Sequence, residues 1–266
     1  MGVSIIIPVH NPDKEILKKI LVELKNQSYK GKSEIIQINI GKGLAESMNT
    51  GFRKAKNEIV VSLHQDCIPQ GKFWLENLVK PFKEKRIIAT VSKVELPISL
   101  WESFDKIAQA LTLKELGVIQ PLLDEKGCAY KRSVLKEVGF FDEKNFRTAG
   151  EDFDLYIKLK NKGIIAYPEA TVIHLHKTTG FSRLNKERQY ANGFGTLVRI
   201  YGTKMPGWHK GLIKAIPLIG IIPLLVSFPY KKAKELSFYF IAISSIVHYK
   251  YFLGFWEGFI RGKQTL

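Results

Sequence analysis

The sequence predicts an α/β fold, with a mostly parallel sheet flanked by helices and an apolar helical tail behind it. Three observations carry that prediction. Short β-branched runs at 3–9, 34–40 and 59–63 alternate with stretches whose apolar residues recur at helical spacing. Each run breaks abruptly into polar or turn residues: His10-Asn11-Pro12, Gly41-Lys42-Gly43 and His64-Gln65-Asp66. After Gly207 the composition shifts to long apolar stretches interrupted by lysines. Strands alternating with helices require right-handed crossovers, so the carboxyl ends near Val9, Ile40 and Leu63 are expected to line one crevice. Open α/β sheets bind ligands there.

The elements follow in order. The run 3–9 is apolar apart from Ser4, and Pro12-Asp13 is suited to opening a helix on which Ile16, Leu17, Ile20, Leu21 and Leu24 share a face. A strand at 34–40 precedes a helix with Leu44, Met48, Phe52 and Ala55 on one side. The run 59–63 is short and β-branched, so a buried central strand explains it better than a helix. Trp74, Leu78, Val79 and Phe82 predict a third helix, and 87–94 a further strand. Between 95 and 121 the pattern blurs, with Trp101, Phe104, Ile107 and Leu111 at roughly helical spacing. A short strand at 127–130, a short helix at 131–138 and a turn at 139–142 lead into Gly150-Glu151-Asp152-Phe153-Asp154, which opens a helix ending by Gly163. Strands at 164–167 and 171–176 and a mixed helix at 186–201 complete the pattern.

With 266 residues and 45% hydrophobic content, the chain can bury one large core plus an appendage. The net charge of +16 calls for an anionic partner: nucleic acid, a phosphorylated small molecule or an acidic membrane surface. No nucleic-acid partner is expected, because the lysines are dispersed and no helix-turn-helix, zinc finger or aromatic RNA-binding motif is present. Cys67 and Cys128 form neither a disulfide framework nor a CxxC motif and read as small core residues of a protein in a reducing compartment. The opening Met-Gly-Val-Ser-Ile lacks a basic segment and cleavage site, so no leader is expected.

Three groups of residues bear on chemistry. Asp66 at a strand end can hold a divalent cation against a diphosphate, or can cap the helix expected near Lys72. Glu151, Asp152 and Asp154 can be ordinary first-turn carboxylates offsetting a helix dipole, which accounts for one or two of them. His174 and His176 alternate on a strand and so point to one face, as metal ligands do, although such pairs are also often solvent-facing.

Taken in order, 3–11, Gly43-Leu-Ala-Glu-Ser-Met-Asn49, His64-Gln65-Asp66, Gly139-Phe-Phe-Asp-Glu143, Gly150-Glu-Asp152 and His174-Leu-His176 resemble the landmarks of family-2 glycosyltransferases, in particular rhamnosyltransferase-like bacterial and archaeal members. The resemblance implies a GT-A fold, a nucleotide-sugar donor, a divalent cation (Mn²⁺ or Mg²⁺) and an inverting transfer to a hydroxyl. By that resemblance Pro8, Val9, His10 and Asn11 form the first donor-binding loop, with Asn39, Asn49, His64, Gln65 and Asp66 also on the donor side. Asp152 matches the base that activates the acceptor, with Glu151 beside it, and Asp66, His174 and His176 match the metal site. Arg132, Lys177 and Arg183 are candidate phosphate-neutralising cations, or plain surface charges. The chain departs from the pattern at His64, where relatives carry an acid, and it lacks the acidic turn between Ile40 and Leu44 where the base is recognised. A nucleotidyltransferase on a related sheet and a non-catalytic relative stay open as alternatives.

The expected organisation is a catalytic domain at 1–207 and a membrane-associated helical segment at 208–266. The stretch 212–228 is broken by Lys214, Pro217 and Pro223, whereas 236–256 is long enough to span. Aromatic residues beside lysines fit a pair lying at headgroup depth on an anionic membrane surface, and a helical cap on the sheet is the alternative. The expected setting is the cytoplasmic face of the cell membrane, with a lipid-linked or polysaccharide acceptor. A chain ending near Gly207 is expected to stay in solution more easily.

Overall fold

The protein is described from a computed structural model covering residues 1–39, 43–146, 149–231 and 233–262. In chain order the elements are β1 (Val3–Val9), α1 (Lys14–Lys25), β2 (Ser33–Asn39), α2 (Leu44–Lys54), β3 (Ile59–Ser62), β4 (Cys67–Pro69) and α3 (Trp74–Val79). Next come β5 (Ile87–Val91), β6 (Lys93–Leu96), α4 (Ile98–Glu102), α5 (Lys106–Thr112), β7 (Gly117–Ile119), β8 (Cys128–Lys131) and α6 (Arg132–Glu137). The chain closes with α7 (Glu151–Leu159), β9 (Ile164–Ala166), β10 (Thr171–His174), α8 (Gly180–Tyr201), α9 (Trp208–Lys214), α10 (Ile221–Val226) and α11 (Lys234–Arg261). Ile40, expected to end the second strand, and the following Gly41 and Lys42 lie outside the described residues.

Two compact units emerge. The first comprises Met1–Ile98, Glu115–Glu143 and Glu151–His176 and contains every strand among the described residues. Its larger sheet has the order β2-β1-β3-β8-β5-β9 and its smaller one β4-β10-β6-β7. β1 pairs parallel with β2 and β3, as the alternation predicts. β8 departs from it, running antiparallel between β3 and β5 with Cys128 opposite Ser62. The strand expected over 87–94 breaks at Ser92, whose amide bonds Gly127 and whose hydroxyl accepts from the Trp74 indole at 3.1 Å, so β5 and β6 serve different sheets.

Alternation along β1 explains the layering. Val3, Ile5 and Ile7 pack with Ile20, Leu24, Trp74 and Leu78 on one face. Ile6 faces the other way, against Met48, Phe52, Tyr130 and Leu155. Asp13 caps α1 by accepting from the amides of Glu15 and Ile16, as its position after Pro12 predicts. α2 lies close on β1 because Gly51 has no side chain: a Cβ there would stand 2.3 Å from Ile6.

The second unit comprises Ser99–Lys114, Lys144–Gly150 and Lys177–Leu266 and is helical among its described residues. The blurred stretch resolves into α4 and α5, and the mixed helix starts earlier than expected, at Gly180, capped by the Thr179 side chain. α8 and α11 approach through glycine: a Cβ on Gly195 would meet the Phe255 carbonyl at 2.1 Å, and one on Gly258 the Asn192 carbonyl at 2.0 Å. Gly207, where the composition changes, lies inside this unit. A chain ending there would lose α11 and bare Ala191, Leu197 and Val198 of α8, so the expectation that it stays in solution gives way to one of aggregation.

Candidate active site

The carboxyl ends of β1 and β3 bring the first donor-side residues together. Pro8 and Val9 close β1, with Asn39 paired opposite Val9 on β2. His10 and Asn11 follow, Asn11 in the left-handed region at φ 42°, which asparagine tolerates better than most residues. The loop is held by Gln65: its carbonyl accepts from the His10 amide at 2.7 Å, and its amide donates to the His10 carbonyl at 2.8 Å. Gln65 thus clasps one strand end to the next. Asn49 is placed differently. It is 1% exposed, donating to the Phe141 carbonyl at 2.9 Å and to Glu143 and accepting from the Phe141 amide at 3.0 Å, so its amide ties α2 to the turn after α6.

Asp66 is the centre of the next group. It does not cap α3, whose N-cap is Phe73 with no side-chain bond. Its Oδ2 instead lies 3.6 Å from His174 Nε2 and 3.3 Å from His176 Nδ1, with the two imidazoles stacked. Antiparallel pairing of β4 with β10 sets this geometry by placing Cys67 opposite His174, and the Leu175 amide bonds the Asp66 carbonyl at 2.8 Å. Burial pushes Asp66 upward, but contacts with His174 and His176 outweigh it and hold the carboxyl well below the usual range. Ligand atoms of Asp66, Cys67 and His174 lie within 4.8 Å of one another, a donor set that fits a divalent cation. His64 stands beside them with a buried, unpartnered Nε2, and burial followed by the Lys126 charge lowers its pKa to about 4. It is therefore a neutral imidazole where an acid was expected.

A second group of carboxylates lies at this end of the sheet. Glu151 and Asp152 open α7, and the Asp152 Oδ1 accepts from the Phe153 amide at 2.7 Å. Asp154 turns to the core side and pairs with Lys158 at 2.6 Å, which is the ordinary helix role. Burial raises the pKa of both Glu151 and Asp152, reinforced for Glu151 by Asp152 and for Asp152 by Asp124. Sequence reasoning missed Asp124, Glu125 and Lys126, which precede β8. Because β8 is antiparallel, residues before it reach the end of the sheet where β3 finishes. Asp124 pairs with Lys126 at 2.7 Å and lies below its usual range, since that ammonium outweighs its burial.

The same reversal carries Arg132 away. Its amide bonds the Glu58 carbonyl at 2.8 Å, at the amino end of β3, and with Phe52, Arg53 and Lys136 it lines a separate cavity of about 540 Å³. Arg132 is thus removed from the phosphate-neutralising candidates. Lys177 and Arg183 belong to the second unit.

Comparison with known proteins bears on the family and the fold. The sequence profile described as Glycosyl transferase family 2 matches residues 6–139. Among solved structures, a mannosyltransferase from Pyrobaculum calidifontis in complex with GDP-Man and Mn²⁺ superposes with a TM-score of 0.60 at 13% identity, covering 97% of this chain and 87% of that one. GalNAc-T7 with UDP, GalNAc and Mn²⁺ gives 0.58 at 14% identity, covering 98% of this chain and 56% of that one. A search of curated proteins finds no significant match. At such identities the likeness establishes the GT-A type of fold.

Proposed function

The chain belongs to glycosyl transferase family 2, and from that premise we propose that it moves a sugar from a nucleotide-sugar donor to a hydroxyl of a lipid-linked or cell-envelope glycan, with inversion. The observation that carries this reading is the pair of acidic groups at one end of the sheet: Asp66 held between two imidazoles, and Asp152 beside Glu151 in a buried setting. The first group suits a diphosphate and its cation. The second suits an acceptor hydroxyl.

Asp66 and His174, with His176 beside Asp66, would hold the cation, Mn²⁺ or Mg²⁺, in keeping with the Mn²⁺ named for both similar structures. When bound it offsets negative charge on the diphosphate. The backbone around His10, fixed by the Gln65 clasp, and Asn39 beside Val9 border the nucleotide. Asp152 takes the proton of the acceptor hydroxyl as that oxygen bonds the anomeric carbon, and the bond from that carbon to the diphosphate oxygen breaks. A raised pKa makes Asp152 a stronger base than a carboxylate in water, and its side chain, only partly buried, stays open to an acceptor.

The membrane part of the reading draws on the second unit. α11 is long and apolar enough to cross a bilayer. Leu218, Ile219, Ile222 and Val226 are exposed apolar residues, Leu218 at 86% and Val226 at 78%, and in sequence Lys210 and Lys214 precede them and Lys231 and Lys234 follow. Such a stretch between lysines fits an anionic membrane surface, here the cytoplasmic face of the cell membrane.

The test is titration of the full chain with GDP and UDP, with and without Mn²⁺. One nucleotide should bind more tightly with Mn²⁺, and Asp66→Ala should abolish the Mn²⁺ increment without unfolding the protein. Equal affinity in mutant and wild type with Mn²⁺ would remove Asp66 from the donor site.

A further inference from the structure

Glu125 is a buried carboxyl group that the proposed reaction does not yet use. It is 5% exposed, and its Oε1 has no hydrogen-bond partner. Glu151, 3% exposed, likewise keeps a buried Oε2 without a partner. Two unpartnered acceptors on separate segments of the same unit are costly in a folded core unless something else satisfies them. Glu125 stands three residues before Cys128, which pairs with Ser62 near the end of β3, so the strand register brings it to the end of the sheet that carries Asp66. Burial raises its pKa well above the usual carboxylate value, reinforced by the charges of Asp152 and Glu151.

From this placement we propose that Glu125 determines sugar specificity, its unpartnered carboxyl oxygen accepting hydrogen bonds from hydroxyls of the transferred sugar on the floor of the crevice. This rests on the donor reading above. The chemistry fits the occupant: a pyranosyl ring presents several hydroxyls able to donate to the unpartnered Oε1, whereas a diphosphate presents only acceptors and cannot satisfy it. The floor also favours the donor sugar over the acceptor. A group so deeply buried meets the ligand that enters first, and the sugar's anomeric carbon must lie between the diphosphate held at Asp66 and the base at Asp152. Glu151 is the second unpartnered acceptor within that reach, and its neighbour Asp152 remains free for the acceptor proton.

The experiment compares wild type with Glu125→Gln and Glu125→Ala, all as full chains with Mn²⁺ and no acceptor, by calorimetric titration with two probe pairs: GDP against GDP-mannose, and UDP against UDP-N-acetylgalactosamine. For the pair the wild type binds, Glu125→Ala should lose about 10-fold or more in affinity for the sugar nucleotide, the expected scale when a buried hydrogen bond is removed, and Glu125→Gln, which keeps an acceptor oxygen, should lose less. Affinity for the bare nucleoside diphosphate should change less than about 2-fold, which also shows that the variants are folded. An unchanged affinity of Glu125→Ala for the sugar nucleotide overturns the assignment. So does an equal loss for both members of the pair, since Glu125 would then serve the fold or the nucleotide. Wild type binding neither pair overturns the donor reading itself, and this inference with it.

Discussion

Asp152 and Glu151 are adjacent carboxylates whose surroundings separate their roles. Asp152 is held by the Phe153 amide, whereas Glu151 keeps an oxygen that bonds nothing. Burial raises both pKa values, and this has a consequence for stability. A carboxyl whose pKa is raised on folding stabilises the fold below its unfolded pKa, near 4.3 for glutamate, and that contribution is lost as pH rises through the folded value. Glu151→Gln removes the loss. Its unfolding midpoint should therefore match wild type near pH 4 and exceed it increasingly toward pH 8, as measured by thermal denaturation across that range. A difference that stays constant with pH would mean that Glu151 is not ionising against its surroundings. At this scale Asp66, His174, His176 and the Glu151-Asp152 pair were legible in the sequence because strand alternation and motif spacing place them. Gln65 was named for the donor, yet its amide clasps the His10 backbone, a contact between two loops that no local pattern encodes.

Among the elements, β8 decides which residues meet. The sequence shows an apolar strand at 127–130 but not its direction, since a short apolar run reads alike in either sense. Antiparallel insertion between β3 and β5 moves Asp124, Glu125 and Lys126 to the candidate site and Arg132 to the opposite end. Parallel alternation was legible for β1 to β3, because two helices intervene. The helical unit was harder to read. Its key contacts are glycine approaches between α8 and α11, separated by more than fifty residues in sequence, and a periodicity argument does not pair distant helices. Gly195→Ala would drive a methyl group into the Phe255 carbonyl, 2.1 Å away, with no flexible side chain to yield. The expected cost is about 1–3 kcal/mol, the usual scale for overpacking, read as a lower unfolding midpoint with nucleotide affinity at 10 °C unchanged. A midpoint equal to wild type would show that α8 and α11 do not pack this closely.

For the whole molecule, the +16 charge and the exposed apolar residues near Leu218 bear on where the protein works. The full chain should float with vesicles containing anionic lipid, less with neutral ones, and be released from the anionic ones in part by salt, and Leu218→Asp with Val226→Asp should weaken flotation several-fold, since apolar insertion and charge attraction act together. Flotation indifferent to both changes would place the membrane contact elsewhere or nowhere. Binding alone does not establish transfer. The most direct measurement is single-turnover transfer of labelled sugar from GDP-mannose or UDP-sugar donors, with Mn²⁺, to lipid extracts on such vesicles, for wild type, Asp152→Asn and Glu151→Gln at saturating donor. The wild type should give labelled glycolipid and free nucleoside diphosphate, Asp152→Asn should be slower by at least about 10²-fold with donor affinity unchanged, and Glu151→Gln should be affected less. Near-wild-type rates for Asp152→Asn, or label recovered as a nucleotide adduct instead of a glycoside, would contradict the account.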